Sequence, residues 1–204
     1  MLHSSRMRGK MEEKLEEKLE GKLVYLRPIS REDTKDIVRW RNSDAVRPYF
    51  IYQEPFTIEG HLSWLEKMID SGKGYQFIIC LKENGQPIGS TYLRDFDPVS
   101  RKAEYGVFIG ENGQKGRGIG TEALKLTLGF AFDGLKLHKV FARAFSDNKA
   151  SINSFLKGGF QQEACLKDEV WVDGRYRDIV LLARLNPQEG HQAEYEKEKD
   201  ERYP

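Results

Sequence analysis

Lys115-Gly116-Arg117-Gly118-Ile119-Gly120 follows the strand-like run Ala103-Glu104-Tyr105-Gly106-Val107-Phe108-Ile109 and leads directly into Thr121-Glu122-Ala123-Leu124. A strand that enters a Gly-x-Gly-x-Gly turn and leaves as a helix is a recurrent site for a phosphate-bearing ligand. The first-turn N–H groups have no helical partner and point at the ligand, and the helix dipole favours negative charge there. Glycines let the backbone approach closely and take up positive φ, while Lys115 and Arg117 add two cations. The same turn could merely redirect the chain, so the run by itself leaves both readings open. A P-loop, GxxxxGK[ST], is absent. Gly118-Ile119-Gly120-Thr121-Glu122-Ala123 formally fits the dinucleotide pattern, but it follows three strands joined by short turns instead of opening a series of βαβ units.

Outward from this turn, alternation and punctuation mark the remaining elements. Upstream lie a strand from Leu23 to Ile29, a helix capped near Ser30 and Asp33, and a second helix capped by Thr57. Strands follow at Tyr75 to Leu81 and Pro87 to Arg94, joined by the turn Glu83-Asn84-Gly85-Gln86. Downstream, Thr121 to Leu135 carries the apolar spread of a well-buried helix, and Lys139 to Phe145 is a strand. A helix from Asp147 or Asn148 ends at Gly158-Gly159. Phe160 to Val172 and Arg175 to Leu185 then form a closing hairpin about Asp173-Gly174. The expected fold class is α+β, one mixed, mostly antiparallel sheet flanked by helices.

The chain of 204 residues fits one domain, with 39% hydrophobic residues to fill a core. Its charged fraction of 32% is concentrated at the ends. Residues 1–22 are expected to be a charged N-terminal extension, with Glu/Lys pairs that support a solvated helix over 11–22. Residues 23–185 form the domain, and 186–204 a charged C-terminal tail. A net charge of +1 gives no electrostatic case for nucleic acid or a membrane surface. The apolar runs are too short to span a bilayer, and no apolar segment follows the basic start of the chain as a secretory signal requires. Cys80 and Cys165 sit in apolar, strand-like settings without metal-ligand spacing. They are expected to be buried free thiols in a cytoplasmic protein that holds no metal.

Several ordered motifs together carry a resemblance. Lys115, Gly118 and Gly120 fall on the turn (Arg/Gln)-x-x-Gly-x-(Gly/Ala). Ser146-Asp147-Asn148-x-x-Ser151, Lys157-Gly158-Gly159-Phe160 and Trp171-Val172-Asp173-Gly174-Arg175-Tyr176-x-Asp178 follow in order. The chain resembles the GNAT superfamily of acetyl-CoA-dependent N-acetyltransferases over roughly Leu23 to Leu185, in the subgroup of ribosomal-protein, spermidine and amino-sugar acetyltransferases. The resemblance implies a GNAT-like sheet and acetyl-CoA as cosubstrate. Its diphosphate would lie on Lys115, Gly116, Arg117, Gly118, Ile119, Gly120 and Thr121, and its arm beside Val107, Phe108 and Ile109, with Asn148, Ser151 and Phe155 meeting it from the next helix. Asn148 also reads as a plain helix cap.

The resemblance further implies direct attack of an amine on the thioester. An amine of pKa about 10.4 must first lose a proton. Glu104, a lone acid in an apolar strand, is the expected base, and a solvent-facing edge position is its alternative. The family's tyrosine that protonates the departing thiolate is replaced by Phe155, which leaves water, Ser151 or Ser154 for that task. A non-catalytic acetyl-CoA-binding regulatory module is the alternative to an enzyme.

Acceptor contacts are expected from Trp40, Arg41, Asn42, His61, Trp64 and Tyr176. The tryptophans would stack on a ring and Arg41 would meet a phosphate. Trp64 and His61 read equally as core, and Asn42 as a helix end. An amino sugar, a protein or peptide N-terminus and a polyamine all remain as acceptors. Asp44, Glu54, Glu59, Asp95 and Asp97 are the carboxylates near the expected rim. Final hairpins in this family often meet across dimers, which makes a homodimer the expectation.

Overall fold

The computed structural model describes residues 18–114 and 116–189. Among the described residues eight strands form one sheet in the order β1-β2-β3-β4-β5-β6-β8-β7. They are β1 (Leu19–Glu20), β2 (Val24–Pro28), β3 (Tyr75–Leu81), β4 (Pro87–Asp97), β5 (Lys102–Ile109), β6 (Lys139–Phe145), β7 (Gln161–Val172) and β8 (Arg175–Leu185). All neighbours are antiparallel except β5 and β6. The expected mixed, mostly antiparallel sheet is therefore what forms.

Helix α1 (Thr34–Arg41) follows a turn in which Asp33 Oδ2 accepts the Ser30 backbone N–H at 2.8 Å. Helix α2 (Ile58–Trp64) starts where Thr57 Oγ1 accepts the Gly60 N–H at 3.0 Å, and continues as a wider turn over Leu65–Asp70. Helix α3 (Ile119–Gly129) likewise widens over Phe130–Gly134, and α4 (Lys149–Lys157) follows β6. Side chains alternate across a strand, and β3 is buried at every position. Phe77, Ile79 and Leu81 pack with Leu124 and Leu128 of α3, whereas Ile78 and Cys80 pack with Ile37 and Trp40 of α1. The sheet is thus covered on both faces.

Strands β5 and β6 pair only through Lys102↔Lys139, Ala103↔Val140 and Glu104↔Phe141. Beyond this point β5 runs on to Ile109 bonded to β4 alone, and β6 runs on to Phe145 bonded to β8. The two strands part into a fork, with the Gly118 turn beyond the open end of β5.

The described segments on either side of the expected domain join the fold further than the sequence suggests. A helix is expected over 11–22, yet Leu19–Glu20 form a strand against β2; residues 11–17 lie outside the described residues. Short-range Glu/Lys pairs contribute only a few tenths of a kcal/mol each, and the free edge of β2 outweighs them. Glu122 in the first turn of α3 fixes this segment: Oε1 accepts the Lys22 N–H at 2.7 Å, and Oε2 accepts those of Leu23 and Val24 at 2.8 and 3.0 Å. At the other end Asn186 is buried and donates to the Leu137 carbonyl. Glu189 takes two hydrogen bonds from Arg101 and one from His138. Residues 190–204 of the expected tail lie outside the described residues. Of the two cysteines expected to be buried, Cys80 is and Cys165 is exposed, because β7 is the last strand of the sheet.

Hydrogen bonds to a charged acceptor contribute about 1.5–3 kcal/mol each when shielded. The Lys22 and Leu23 donors are exposed and water replaces most of what they lose, so the three together count for about one shielded bond. Glu122→Ala is expected to cost about 2 kcal/mol and to lower Tm by about 4–8 °C. Calorimetry showing no change in Tm would contradict this role for Glu122.

Candidate active site

A cavity of about 860 Å³ runs through the fork. One half is bordered by Val107, Phe108 and Ile109 of β5, by Gly116, Gly118, Ile119, Gly120 and Thr121 of the turn, and by Asn148, Ser151, Ser154 and Phe155 of α4. These residues are brought together as the sequence leads one to expect. Gly116 and Gly118 have φ of 81° and 82°, and a Cβ on either would meet nothing within 4 Å. Backbone conformation, not lack of space, is what demands glycine there. The turn therefore leaves open room over the N-terminus of α3, which fits the diphosphate of a nucleotide-linked cosubstrate.

Asn148 caps α4: its Oδ1 accepts the Ser151 N–H at 3.2 Å, and its Nδ2 donates to Ser151 Oγ at 2.9 Å. Ser154 Oγ lies 3.4 Å from Thr121 Oγ1, which bridges α4 to the turn. Phe155 is buried, edge-on to Tyr105 at 6.0 Å. The Arg117 side chain does not border the cavity; it donates to Gln114 at 2.6 Å and lies 3.9 Å from Glu83. Lys115 lies outside the described residues.

The other half is bordered by Arg41, Tyr52, Glu54, Trp64, Tyr92, Arg94, Glu104 and Arg143. Glu104 sits at the apex of the fork, where it joins three strands. Its Oε1 accepts from Arg143 Nε at 2.9 Å; its Oε2 accepts from Arg143 Nη2 at 3.0 Å and from Arg94 Nε at 3.0 Å. Burial by itself would raise the Glu104 pKa, but the hydrogen bonds from Arg143 and the charge of Arg94 outweigh it and hold the carboxyl below its ordinary range. Glu104 is therefore neither solvent-facing nor alone in its strand setting: two arginines share its carboxylate.

The expected acceptor contacts divide. Arg41 and Trp64 border the cavity. Trp40 does not: it is core, 1% exposed, edge-on to Phe108 at 6.3 Å, with its indole N–H donated to Glu111 at 2.8 Å. His61 is buried behind Trp64, stacked on it at 6.1 Å and in contact with Thr34 Oγ1 at 3.1 Å. Burial pushes its pKa down to about 4, so it stays neutral. Asn42 clamps the Phe56 backbone at 2.8 and 2.9 Å, which shapes the loop wall without facing the cavity. Tyr176 is at the exposed tip of the closing hairpin, edge-on to Trp171. Of the five carboxylates near the expected rim, Glu54 alone borders the cavity.

Sequence reasoning missed Tyr92, Arg94 and Arg143. The signal that marks Glu104, a lone charge in an apolar strand, is present for Arg143 in Ala142-Arg143-Ala144; Arg94 is followed by Asp95 and Tyr92 carries no charge, so neither stands out. Burial raises the Tyr92 pKa, with the charge of Arg94 opposing, so the phenol remains a hydrogen-bond donor. Burial pushes the Arg41 pKa down to about 10.

Comparison with known proteins places this geometry. The spermidine N(1)-acetyltransferase of Escherichia coli K12 is 30% identical over 160 residues, covering 78% of this chain and 84% of that one. The ribosomal-protein-serine acetyltransferase of the same organism is 25% identical over 149 residues, covering 72% and 79%. Among solved structures, the spermidine N-acetyltransferase of Vibrio cholerae in complex with CoA and spermine superposes with a TM-score of 0.74 at 23% identity, covering 80% of this chain and 96% of that one; it shows likeness of fold. The acetyltransferase (GNAT) domain family matches residues 24–161. That match spans more than half of the chain, which therefore belongs to the GNAT acetyltransferase family and is an acetyl-CoA-dependent acyltransferase.

Proposed function

We propose that the enzyme transfers the acetyl group directly to a primary amine that enters the cavity from the side of Arg41 and Tyr52 and meets the thioester at the fork. The observation that carries this reading is the continuous cavity joining the Gly118 turn to the Glu104 apex, with the unpaired edge of β5 between them. Bound at the turn, acetyl-CoA supplies an activated acyl thioester.

The N–H groups of Val107 and Ile109, which alternate away from β4, hold the cosubstrate's arm and stabilise the charge that develops on the carbonyl oxygen. The new N–C bond forms as the C–S bond breaks; the amine's proton leaves to water and the sulfur takes one up. Ser154, beside Thr121 in the lining, relays that second proton from water, its hydroxyl giving one proton to sulfur as it takes another from solvent, in place of the side chain that Phe155 cannot supply. Glu104 is a positioning residue: it ties Arg94 and Arg143 across the apex and keeps β5 parted from β6.

With Glu104 ionised across the working range, the acceptor's own amine sets the pH dependence. A proton count of one separates the ammonium from the reactive free amine, so log kcat/KM is expected to rise with slope about 1 between about pH 6 and 9 for an amine of pKa about 10.4. The measurement is thiol release from acetyl-CoA with identification of the acetylated amine. A further ionisation of the enzyme between pH 6 and 8 would return Glu104 to the role of base. A thiol of pKa about 8.5 leaving near pH 7 needs protonation worth about 1.5 pH units. Ser154→Ala is therefore expected to lower kcat by up to about 30-fold near pH 7 with acetyl-CoA affinity unchanged, the loss shrinking above about pH 8.5. An undiminished kcat at pH 7 removes Ser154 from this step.

A further inference from the structure

The acceptor half of the cavity holds a positive charge that the protein leaves unneutralised. Three guanidinium groups, those of Arg41, Arg94 and Arg143, border it. The one buried carboxylate there, Glu104, is already shared by Arg94 and Arg143. Asp95 lies 3.6 Å from Arg94 but is exposed and outside the lining, and Glu54 is an exposed rim residue. Arg41 has no ion pair and no hydrogen bond among the described residues, and its Nε is inaccessible without an acceptor. Its guanidinium lies 3.3 Å from the centre of the Phe50 ring and 4.9 Å from that of Phe56. These rings fix its plane and offset part of its desolvation, while leaving its hydrogen-bonding capacity unused.

A cation partly withdrawn from water and without an ion partner is costly, and an anion entering the cavity completes it. Tyr92 adds a second donor at this place. A Cβ on Gly106 would lie 2.2 Å from the Tyr92 hydroxyl, so the bare strand makes room for the phenol end on β5; the Arg94 guanidinium lies 5.5 Å from its ring centre, and both residues border the cavity with Arg41.

We infer that the acceptor amine carries an anionic group, a carboxylate or a phosphate, in the same molecule, and that Arg41 binds this group with Tyr92 as second donor. The inference rests on the transfer to a primary amine proposed above and narrows its substrate class. A polyamine carries several ammonium groups into a lining where three arginines face one spent carboxylate, and it finds only the exposed Glu54 to pair with. An acceptor with a carboxylate or phosphate at one end and an amine at the other meets the guanidinium of Arg41 and leaves its amine free to approach the fork.

The experiment measures thiol release with matched probes: 6-aminohexanoate against hexylamine, glucosamine 6-phosphate against glucosamine, and spermidine. The anionic member of at least one pair is expected to show kcat/KM about ten-fold or more above its neutral partner and above spermidine, since a site built around a polar group rejects the analogue that lacks it. The pair that responds tells carboxylate from phosphate. Arg41→Met is expected to reduce that preference to under about three-fold, chiefly through KM, and Arg41→Lys to restore part of it. Acetyl-CoA binding by calorimetry checks that both variants fold. Neutral amines or spermidine turned over as fast as the anionic partners would overturn this inference while leaving amine acetylation intact. Acetyl-CoA binding with no turnover in any arm would overturn both. A preference that survives Arg41→Met would assign the anion elsewhere and overturn the role of Arg41.

Discussion

Strands β5 and β6 are parallel neighbours that stay together for three residue pairs and then part, and the rest of the site depends on that parting. A parallel pair that continued to Ile109 would consume the backbone groups of Val107 and Ile109 in the sheet. Because it stops at Glu104, one side of β5 is a free strand edge inside the protein, a place where an extended ligand can add to the sheet. Unpaired buried backbone is costly, and it persists here because both flanks are anchored. β4 pairs with β5 along its length, and β8 pairs with all of β6. The Glu104 carboxylate, bonded to Arg94 on β4 and Arg143 on β6, sets the apex.

The two halves of the cavity work by different physics. Around Gly118 the groups are mostly backbone, set by φ and by the N-terminus of α3, so the sequence determines them locally. Around Arg41 and Glu104 the groups are charged side chains from α1, β4, β5 and β6, and their state depends on who neutralises whom. Glu104 is spent on two arginines and Arg41 is left over. Relatives can therefore share the donor half while the acceptor half differs, and a 30% identical relative that acetylates spermidine does not fix the acceptor of this chain.

This division also explains what could be read in advance. The strands Tyr75–Leu81 and Lys139–Phe145 fall where alternation and composition place them, and the glycine turn and the Asn148 cap were legible because their chemistry is contained within a few residues. Leu19–Glu20 were misread, since a helical Glu/Lys pattern says nothing of Glu122 a hundred positions on, which holds the neighbouring backbone. Trp40 and His61 look like ligand contacts in the sequence. They became core because distant segments meet them: Glu111 takes the Trp40 indole N–H and Thr34 meets one ring nitrogen of His61. Glu104 was found by its isolation in an apolar strand, but its basicity is decided by Arg143, which no local pattern links to it.

The most direct measurement of the central claim is a crystal structure of the enzyme with CoA. The account predicts the diphosphate within hydrogen-bonding distance of the N–H groups of residues 118–121, and the arm bonded to the β5 edge at Val107 to Ile109 inside the fork. A diphosphate seated away from the Gly118 turn, or an arm lying outside the gap between β5 and β6, would contradict it.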